Sequence, residues 1–372
     1  MNNSAKNVFR KIFHFICILA AIMLIIYCIR QYVSDKDVTH IEYKKFHEEP
    51  DRVYPSITIC FTKPFVWDKL MQYDQEIGYD SFRDFLSGYS GNTWNYTLAR
   101  IDYDNVTIKL KDYLNYFHIN LLNNDNLIWD VVNSSYMLKD HSSEEYEKIE
   151  PPNIYVSSRR AESKCYTIDV PYVPNRRIYL VKMKFEDSIF PRGIRPSAKE
   201  FFITLHYPFQ VMRSYLLSRI SWESNIRKTD CYTLRIRVGS MEVLKRRNKY
   251  SEPCNDDLTD HDKIALTKVM QNVGCQPKHW KIQSQLPYCT TQKQYTDIEI
   301  MMDDVEETLP PCQSIERLIT TGNGIECNKR GKKLWLQFYF QEPSHKEIHV
   351  LRAYGFQSLV GNGGKFDHIE VT

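Results

Sequence analysis

The sequence lacks the short motifs by which several enzyme classes are recognised. It contains no Walker phosphate-binding loop, no H-E-x-x-H zinc-protease motif and no G-x-S-x-G nucleophile motif. The glycine cluster at 361–364 has no strand-to-helix pattern before it, so it does not indicate a phosphate-binding loop. We therefore expect no catalytic residues, no cofactor and no enzymatic activity.

The chain also lacks a strong excess of charge of either sign. It has 49 Lys and Arg against 46 Asp and Glu, and the first 32 residues hold four of the cations and no acid. Nucleic-acid binding needs a concentrated basic face, so this balance argues against DNA or RNA as a partner. The basic run 245–249 favours a solvated turn over a nucleic-acid or lipid patch, and a tryptic-type cleavage site is a further alternative.

Long hydrophobic runs are absent except for one. Residues 12–29 form an apolar run of eighteen residues in which only His14 is clearly polar. At about 1.5 Å per residue such a helix just reaches across a hydrocarbon core of about 30 Å. A signal peptide has a shorter apolar region, of about 7–15 residues, and ends at a small-residue cleavage site, which this run lacks. We therefore predict an uncleaved signal anchor.

The charges that flank this run predict its orientation. Lys6, Arg10 and Lys11 precede it without any acid. The positive-inside rule then places residues 1–11 in the cytoplasm, a transmembrane helix at 12–32 and the rest outside the cell at the plasma membrane.

The sequence contains ten cysteines but no closely spaced C-x₂-C pair, so a cysteine zinc site is not expected and we predict no metal site. Cys17 and Cys28 lie in the apolar run. The other eight predict an extracellular disulfide framework: Cys60, Cys165, Cys231, Cys254, Cys275, Cys289, Cys312 and Cys327. Sequons predict glycosylation at Asn95, Asn105 and Asn133.

Hydrophobic periodicity predicts an α+β fold: one N-terminal transmembrane helix and a β-rich, disulfide-stapled extracellular domain with peripheral helices. Strands are predicted at 53–61, 165–170, 177–185, 200–206, 231–244 and 334–340, the last clear one. Helices are predicted at 67–78, 81–88, 107–120, 126–138 and 259–272. The charged segment 34–52 is interpreted as a connector, and the Pro- and Cys-dense stretch after 275 as a module with little room for its own core.

Several of these segments, in this order, resemble a known family. They are V-Y-P-S-I-T-I-C at 53–60, K-C-Y-T-I at 164–168, Gly-Cys at 274–275, L-P-Y-C at 286–289, P-P-C at 310–312, and the strand 334–340 followed by A-Y-G-F-Q-S-L-V-G at 353–361. From about residue 10 to 364 the chain resembles the degenerin/epithelial sodium channel superfamily, which includes the acid-sensing channels.

The resemblance implies a domain organisation. It implies a helical finger-like lobe at 62–163, a central β region at 164–250, a Cys-rich thumb-like module at 251–330, last palm-like strands at 331–355 and an approach to a second span at 356–372. It also implies the pairs Cys60–Cys165, Cys254–Cys312 and Cys275–Cys289, which leaves Cys231 with Cys327.

Three departures from the family stand out. The N-terminus is too short for the family's His-Gly motif, the thumb-like module has fewer cysteines, and residues 365–372 are too short and too charged to cross a bilayer. We therefore expect a subunit truncated before the second span.

By resemblance, the expected function is a subunit of a homo- or heterotrimeric, amiloride-sensitive-type sodium channel that lies in membrane lipid and opens on an extracellular stimulus. The alternative is a non-conducting single-pass glycoprotein: a receptor, an adhesion protein or a modulatory truncated subunit. The acidic run Asp303, Asp304, Glu306 and Glu307 is interpreted as a solvated face. It would sense protons or cations only if it faced other carboxylates.

Overall fold

The computed structural model describes most of the chain's regular elements. The described residues are 3–34, 36–46, 54–62, 64–66, 69, 71–73, 99–114, 116–122, 126–133, 135–138, 154–157, 163–173, 176–186, 201–206, 219–221, 231–255, 261–280, 284–304, 311–326, 333–342 and 344–352. They form an α+β, β-rich structure with one long N-terminal helix.

The N-terminal helix, α1 (Asn3–Val33), contains the apolar run. Its segment Lys11–Arg30 spans 20 residues, and none of it is buried in the protein. At about 1.5 Å per residue the segment measures about 30 Å, the thickness of a hydrocarbon core. By length and composition this helix is able to cross a membrane, and the helix predicted at 12–32 is confirmed.

The other elements follow in chain order. The strands are β1 (Asp37–Lys45), β2 (Ser56–Thr62), β3 (Tyr116–Leu121), β4 (Asn126–Asp130), β5 (Ser135–Leu138), β6 (Ile154–Ser157), β7 (Ser163–Ile168), β8 (Ile178–Glu186), β9 (Phe201–His206), β10 (Arg219–Ser221), β11 (Cys231–Lys245), β12 (Gln313–Glu326), β13 (Lys333–Phe340) and β14 (Ser344–Arg352). The helices are α2 (Tyr103–Val106), α3 (Leu110–Tyr113), α4 (His261–Val273) and α5 (Gln292–Asp304), with a 3₁₀ turn at Met71–Tyr73.

The described strands form two sheets. The larger has the order β1-β14-β11-β13-β8-β3-β4-β5, with β12 also paired to β11, and the smaller has the order β10-β9-β2-β7-β6. One cluster of buried apolar side chains contains residues of both sheets, such as Ile59 of β2, Val181 of β8 and Phe338 of β13. Strands with an alternating apolar face therefore pack into a two-sheet core.

A second buried cluster joins α4 and α5 to the segment around α2. It contains Met270 of α4, Tyr295 of α5 and Trp280 between them, together with Phe65 and Tyr103. The prediction that the Pro- and Cys-dense module has little core is wrong, because α5 supplies an apolar side that the sequence analysis missed.

The strands predicted from alternation are confirmed as β2, β7, β8, β9, β11 and β13, and the helix at 259–272 is confirmed as α4. The helices predicted at 107–120 and 126–138 are wrong, because these ranges contain α3 and the strands β3, β4 and β5. Phe117, Ile119 and Leu121 alternate with exposed or half-buried residues, which is the period of a strand. The predicted helices at 67–78 and 81–88 lie mainly outside the described residues.

Two further corrections concern the polar ends of the domain. The segment 34–52, interpreted as a connector, contains the nine-residue strand β1. The strand at 334–340 is not the last one, because β14 follows it. Both missed strands carry many polar side chains, so neither has the apolar alternation that identifies a strand.

Three disulfides tie these elements together: Cys60–Cys165, Cys254–Cys312 and Cys275–Cys289. They are the three pairs that the family resemblance implies. The first joins β2 to β7 at positions directly opposite each other. The other two lie around α4 and in the module after it. The side chain of Cys231 and the whole of Cys327 lie outside the described residues.

Candidate functional site

The strand that follows the apolar helix α1 pairs along its whole length with the last described strand. The pairing of β1 with β14 is antiparallel and runs from Asp37 opposite Arg352 to Lys45 opposite Ser344. Because α1 ends at Val33, only three residues separate the helix from this strand pair. On its other side β14 pairs in parallel with the end of β11, which connects the pair to the two-sheet core.

One face of this strand pair carries titratable side chains on three successive rungs. Side chains two residues apart in a strand point to the same face, and the residues opposite them on the partner strand share that face. The rungs are Lys44 with His345, Glu42 with Glu347, and His40 with His349. We call these six residues and Lys245 of β11 the charged cluster.

Glu347 is the centre of the charged cluster. Its side chain is fully buried. Its Oε2 atom lies 2.8 Å from Lys245 Nζ, 2.9 Å from His349 Nε2 and 3.3 Å from Lys44 Nζ. Its Oε1 atom lies 3.2 Å from His345 Nε2. Burial raises the pKa of the Glu347 carboxyl, but hydrogen bonds from His345 and Lys245 outweigh it and hold the pKa well below its ordinary range. The buried carboxylate is therefore ionised, and the lysine and histidine side chains around it compensate its negative charge.

Aromatic side chains close the cluster on the core side. The ring of His345 lies 5.0 Å from that of Phe46, and Phe46 stacks on Tyr54 at 4.8 Å. Tyr54 in turn meets Phe340 edge to face at 5.2 Å. Burial raises the pKa of the Tyr54 phenol to about 12. These rings exclude water from the inner end of the cluster, which strengthens the electrostatic interactions there.

His345 is fully buried beside this aromatic group. Its Nδ1 atom has no hydrogen-bond partner among the described residues. When the proton is on Nε2, the ring donates to Glu347 and only an acceptor is left unpaired. This arrangement fixes both the ring and the carboxylate that it contacts.

The outer end of the cluster is more exposed and contains atoms suited to metal ligation. His40 Nε2 lies 2.9 Å from Glu42 Oε1, and His349 Nε2 lies 3.7 Å from Glu42 Oε2. The ligand atoms of Glu42, Glu347 and His349 all lie within 4.8 Å of one another.

The basic run 245–249 joins the same strand pair. Lys245 contacts Glu347, while Arg247 and Lys249 contact the Asp37 carboxylate at 2.8 and 2.7 Å. Hydrogen bonds from Lys249 and Arg247 lower the pKa of Asp37. Residues 246–248 lie outside the strands, and Arg246 and Asn248 are exposed, as a solvated turn requires. In addition, Lys245, Arg247 and Lys249 form ion pairs with β1 and β14, which the sequence analysis did not predict.

The remaining predicted site residues lie in other parts of the chain. Asn105, at the end of α2, and Asn133, in the turn after β4, are exposed, as glycan acceptors require. Asn95, Glu306 and Glu307 lie outside the described residues. Asp303 and Asp304 are the last residues of α5, and their side chains are not described.

The sequence analysis missed the charged cluster. A usable indication was present in the spacing, because residues 40–44 read H-x-E-x-K and residues 345–349 read H-x-E-x-H. Titratable residues at every second position share one face of a strand. Their pairing across about 300 residues of sequence was not visible, so neither segment indicated a site alone.

No family model matches the chain, and no curated protein matches it in sequence. Among solved structures, the chain is similar to a cryo-EM structure of a proton-activated chloride channel. That alignment covers 95% of this chain and 89% of the other, with 8% sequence identity and a TM-score of 0.27. At this TM-score the similarity carries no argument about the fold or function of the chain.

Proposed function

We propose that the chain is a subunit of a plasma-membrane ion channel, with a cytoplasmic N-terminus and the two sheets outside the cell. The observation that carries the proposal is the full-length pairing of β1 with β14, directly after the apolar helix. Movement of the core is passed from β11 to β14 and β1, and from β1 to α1 through three residues. Such a connection couples an extracellular domain to a membrane helix.

The disulfides support the same proposal. The three pairs Cys60–Cys165, Cys254–Cys312 and Cys275–Cys289 are those which the resemblance to the degenerin/epithelial sodium channel superfamily implies. On this proposal the sheets correspond to a palm-like region, residues 62–163 to a finger-like lobe and residues 251–330 to a thumb-like module. The fourth pair is then Cys231–Cys327.

The proposed channel is a homo- or heterotrimer that passes Na⁺ passively when an extracellular stimulus moves the domain. The acidic run 303–307 is a candidate proton- or cation-sensing patch in this scheme. The stimulus acts on the sheets and on the module around α4 and α5, and the strand pair transmits the movement to the membrane helix.

The experiment is expression of the whole chain in oocytes, with its surface level measured by biotinylation. Whole-cell current is recorded in sodium solution and again after sodium is replaced by a large organic cation. We expect a sodium-dependent current above that of uninjected cells when the chain is co-expressed with a related subunit that carries the second span. Light scattering of the purified chain in detergent is expected to give a mass of three copies.

A chain that reaches the surface as a monomer and carries no current would overturn the proposal. That result would favour the single-pass glycoprotein instead. A trimer that adds no sodium current in the presence of such a subunit would contradict the channel function but leave the trimeric assembly supported. Variants Glu347→Gln and Glu342→Gln form a matched pair, because Glu342 is an exposed residue just before β14. Only the first is expected to change the current at equal surface level.

A further inference from the structure

We propose that the outer end of the charged cluster binds a divalent transition-metal ion, through His40 and Glu42 of β1 and His349 and Glu347 of β14. The inference concerns binding and does not depend on the proposed channel function. It follows from the register of the strand pair, the distances between ligand atoms and the position of Lys44.

The register places the four side chains in a square on one face. His40 lies opposite His349, and Glu42 lies opposite Glu347 on the next rung of the same face. Directly opposed residues have Cβ atoms about 4.5–5.5 Å apart, which is within reach of a shared ion for imidazole and carboxylate groups. Two imidazoles with carboxylates are a donor set that suits zinc and related divalent ions.

The distances between the ligand atoms fit one ion. Zinc binds imidazole nitrogen and carboxylate oxygen at about 2.0–2.2 Å, so atoms that share an ion lie roughly 3–4 Å apart. His349 Nε2 lies 2.9 Å from Glu347 Oε2 and 3.7 Å from Glu42 Oε2. His40 Nε2 lies 2.9 Å from Glu42 Oε1, on the other oxygen of that carboxylate. The ligand atoms of Glu42, Glu347 and His349 lie within 4.8 Å of one another and form the centre of the site. The ring of His40 lies 6.4 Å from that of His349, so His40 completes the ligand set only after its side chain rotates toward the ion.

The hydrogen bonds that Glu347 makes away from the proposed ion also suit a metal ligand. Its Oε1 atom is held by the buried ring of His345, which fixes the orientation of the carboxylate. Hydrogen bonds of this kind orient the ligands of known metal sites. Its Oε2 atom also contacts Lys245, so Glu347 is expected to be a weaker ligand than His349.

Lys44 already places a positive charge beside the two carboxylates that would bind the metal ion. Its ammonium lies 3.3 Å from Glu347 Oε2 and 3.7 Å from Glu42 Oε2, the two carboxylates that the metal would join. The Lys44 side chain is 25% exposed and belongs to an edge strand, so it is able to turn toward solvent. A metal ion and Lys44 therefore compete for the same oxygens.

This competition gives a sharp test. The whole chain, purified in detergent without a histidine tag, is titrated with Zn²⁺ in competition with a chelating indicator dye. Wild type is expected to bind one ion per chain. His349→Ala is expected to weaken binding at least about tenfold, because it removes a ligand. Lys44→Gln is expected to tighten binding about five- to tenfold, because two carboxylate contacts no longer have to be broken.

Two controls match these variants. Lys346→Gln removes a lysine from the opposite face of β14, where it pairs with Glu242, and is expected to leave the affinity unchanged. His118→Ala removes a histidine from β3, four strands away from β14 in the sheet, and is also expected to have no effect. Thermal unfolding of each variant checks that it is folded.

The proposal is overturned if folded Lys44→Gln binds Zn²⁺ no more tightly than Lys346→Gln. It is also overturned if His349→Ala and His118→Ala retain equal affinity, which would indicate scattered surface binding. If His349→Ala does not fold, the comparison of the two lysine variants decides, because neither removes a ligand.

Discussion

The carboxylate of Glu347 accepts a hydrogen bond from the Lys245 ammonium at 2.8 Å, in the interior of the sheet and next to the strand that follows the apolar helix α1. Glu347 is fully buried, whereas Lys245 is 23% exposed. The acid is therefore held in place by the fold, while the lysine reaches it from the neighbouring strand β11 and stays partly in solvent. This ion pair connects β11 with β14 through side chains as well as through the backbone.

Glu347→Gln is expected to destabilise the protein by about 1–3 kcal/mol, because a buried ionised acceptor with several donors is lost. The loss of unfolding free energy is expected to be smaller than for a fully buried ion pair, because Lys44 and Lys245 reach solvent. The measurement is the thermal unfolding midpoint of the whole chain in detergent. Glu342→Gln, at an exposed site, is expected to leave the midpoint unchanged. Equal midpoints for the two variants would contradict the central role of Glu347.

The contacts of Asp37 with Lys249 and Arg247 predict a pH dependence of stability. These contacts lower the pKa of Asp37 below its ordinary value of 3.8. A group with a lowered folded pKa stabilises the protein above its unfolded pKa, and this contribution is lost as pH falls through the folded pKa. Asp37→Asn is therefore expected to lower the unfolding midpoint at pH 7 and to lower it less at pH 3, where this contribution has begun to be lost.

The control for this prediction is Asp112→Asn, on the exposed side of α3. It is expected to follow the wild-type pH profile. If the unfolding midpoint of Asp37→Asn falls between pH 5 and pH 3 as steeply as that of the wild type, the ion pairs with Arg247 and Lys249 do not contribute to stability. Because Asp37 is partly exposed, added salt is expected to reduce the difference between variant and wild type.

The disulfide between β2 and β7 predicts a large loss of stability when it is removed. Cys60 and Cys165 are buried, and the bond closes a loop with a sequence separation of 105. Replacing both by Ser is expected to cost about 2–4 kcal/mol. The matched control is the double variant Cys17→Ser and Cys28→Ser, because these two cysteines are free and lie in α1. It is expected to keep the wild-type unfolding midpoint.

Non-reducing peptide mapping tests the whole disulfide framework. We expect the three pairs of the structure and, as a fourth, Cys231 with Cys327. Free Cys60 in folded protein would contradict the structure, and any other partner for Cys231 would contradict the proposed fourth pair.

Glycan mapping tests which side of the membrane the sheets occupy. Asn105→Gln and Asn133→Gln are each expected to remove one glycan, whereas Asn2→Gln, in the predicted cytoplasmic end, is expected to remove none. At the sequon Asn105-Val106-Thr107, replacing the asparagine is a cleaner test than replacing the threonine. The Thr107 hydroxyl donates to the Tyr103 carbonyl at 2.6 Å and accepts from Lys164 at 2.8 Å, so its removal would also disturb the core. A chain without glycans would contradict the proposed orientation.

Strands that bury an apolar face could be predicted from the sequence. In β2 and β13 apolar residues such as Ile59 and Phe338 recur at every second position, and the sequence predicts both strands. The same period is present in β3, where Phe117, Ile119 and Leu121 are buried at every second position, although a helix is predicted over 107–120. The helix α5 was also missed, although Thr291 and Gln294 form a reciprocal cap at its start.

The charged cluster could not be predicted in the same way. Its central residues are fully buried, although glutamate is mostly exposed in proteins and histidine is intermediate, and these two are His345 and Glu347. Their burial depends on Lys245 and on Phe46, which are far from them in sequence. Composition and hydrophobic periodicity describe one segment of sequence at a time. A site formed by three strands can therefore be identified only when the register between those strands is known.

The rung formed by Asp37 and Arg352 has a practical consequence for protein engineering. Paired strands lie about 5 Å apart, so the first residue of β1 and the last residue of β14 are close enough for a short glycine-rich linker to join them. Residues 37–352 could then be circularly permuted, with new ends opened in a turn elsewhere, and the sheets would keep their order. Such a permuted domain would be free of the apolar helix without leaving β1 unpaired.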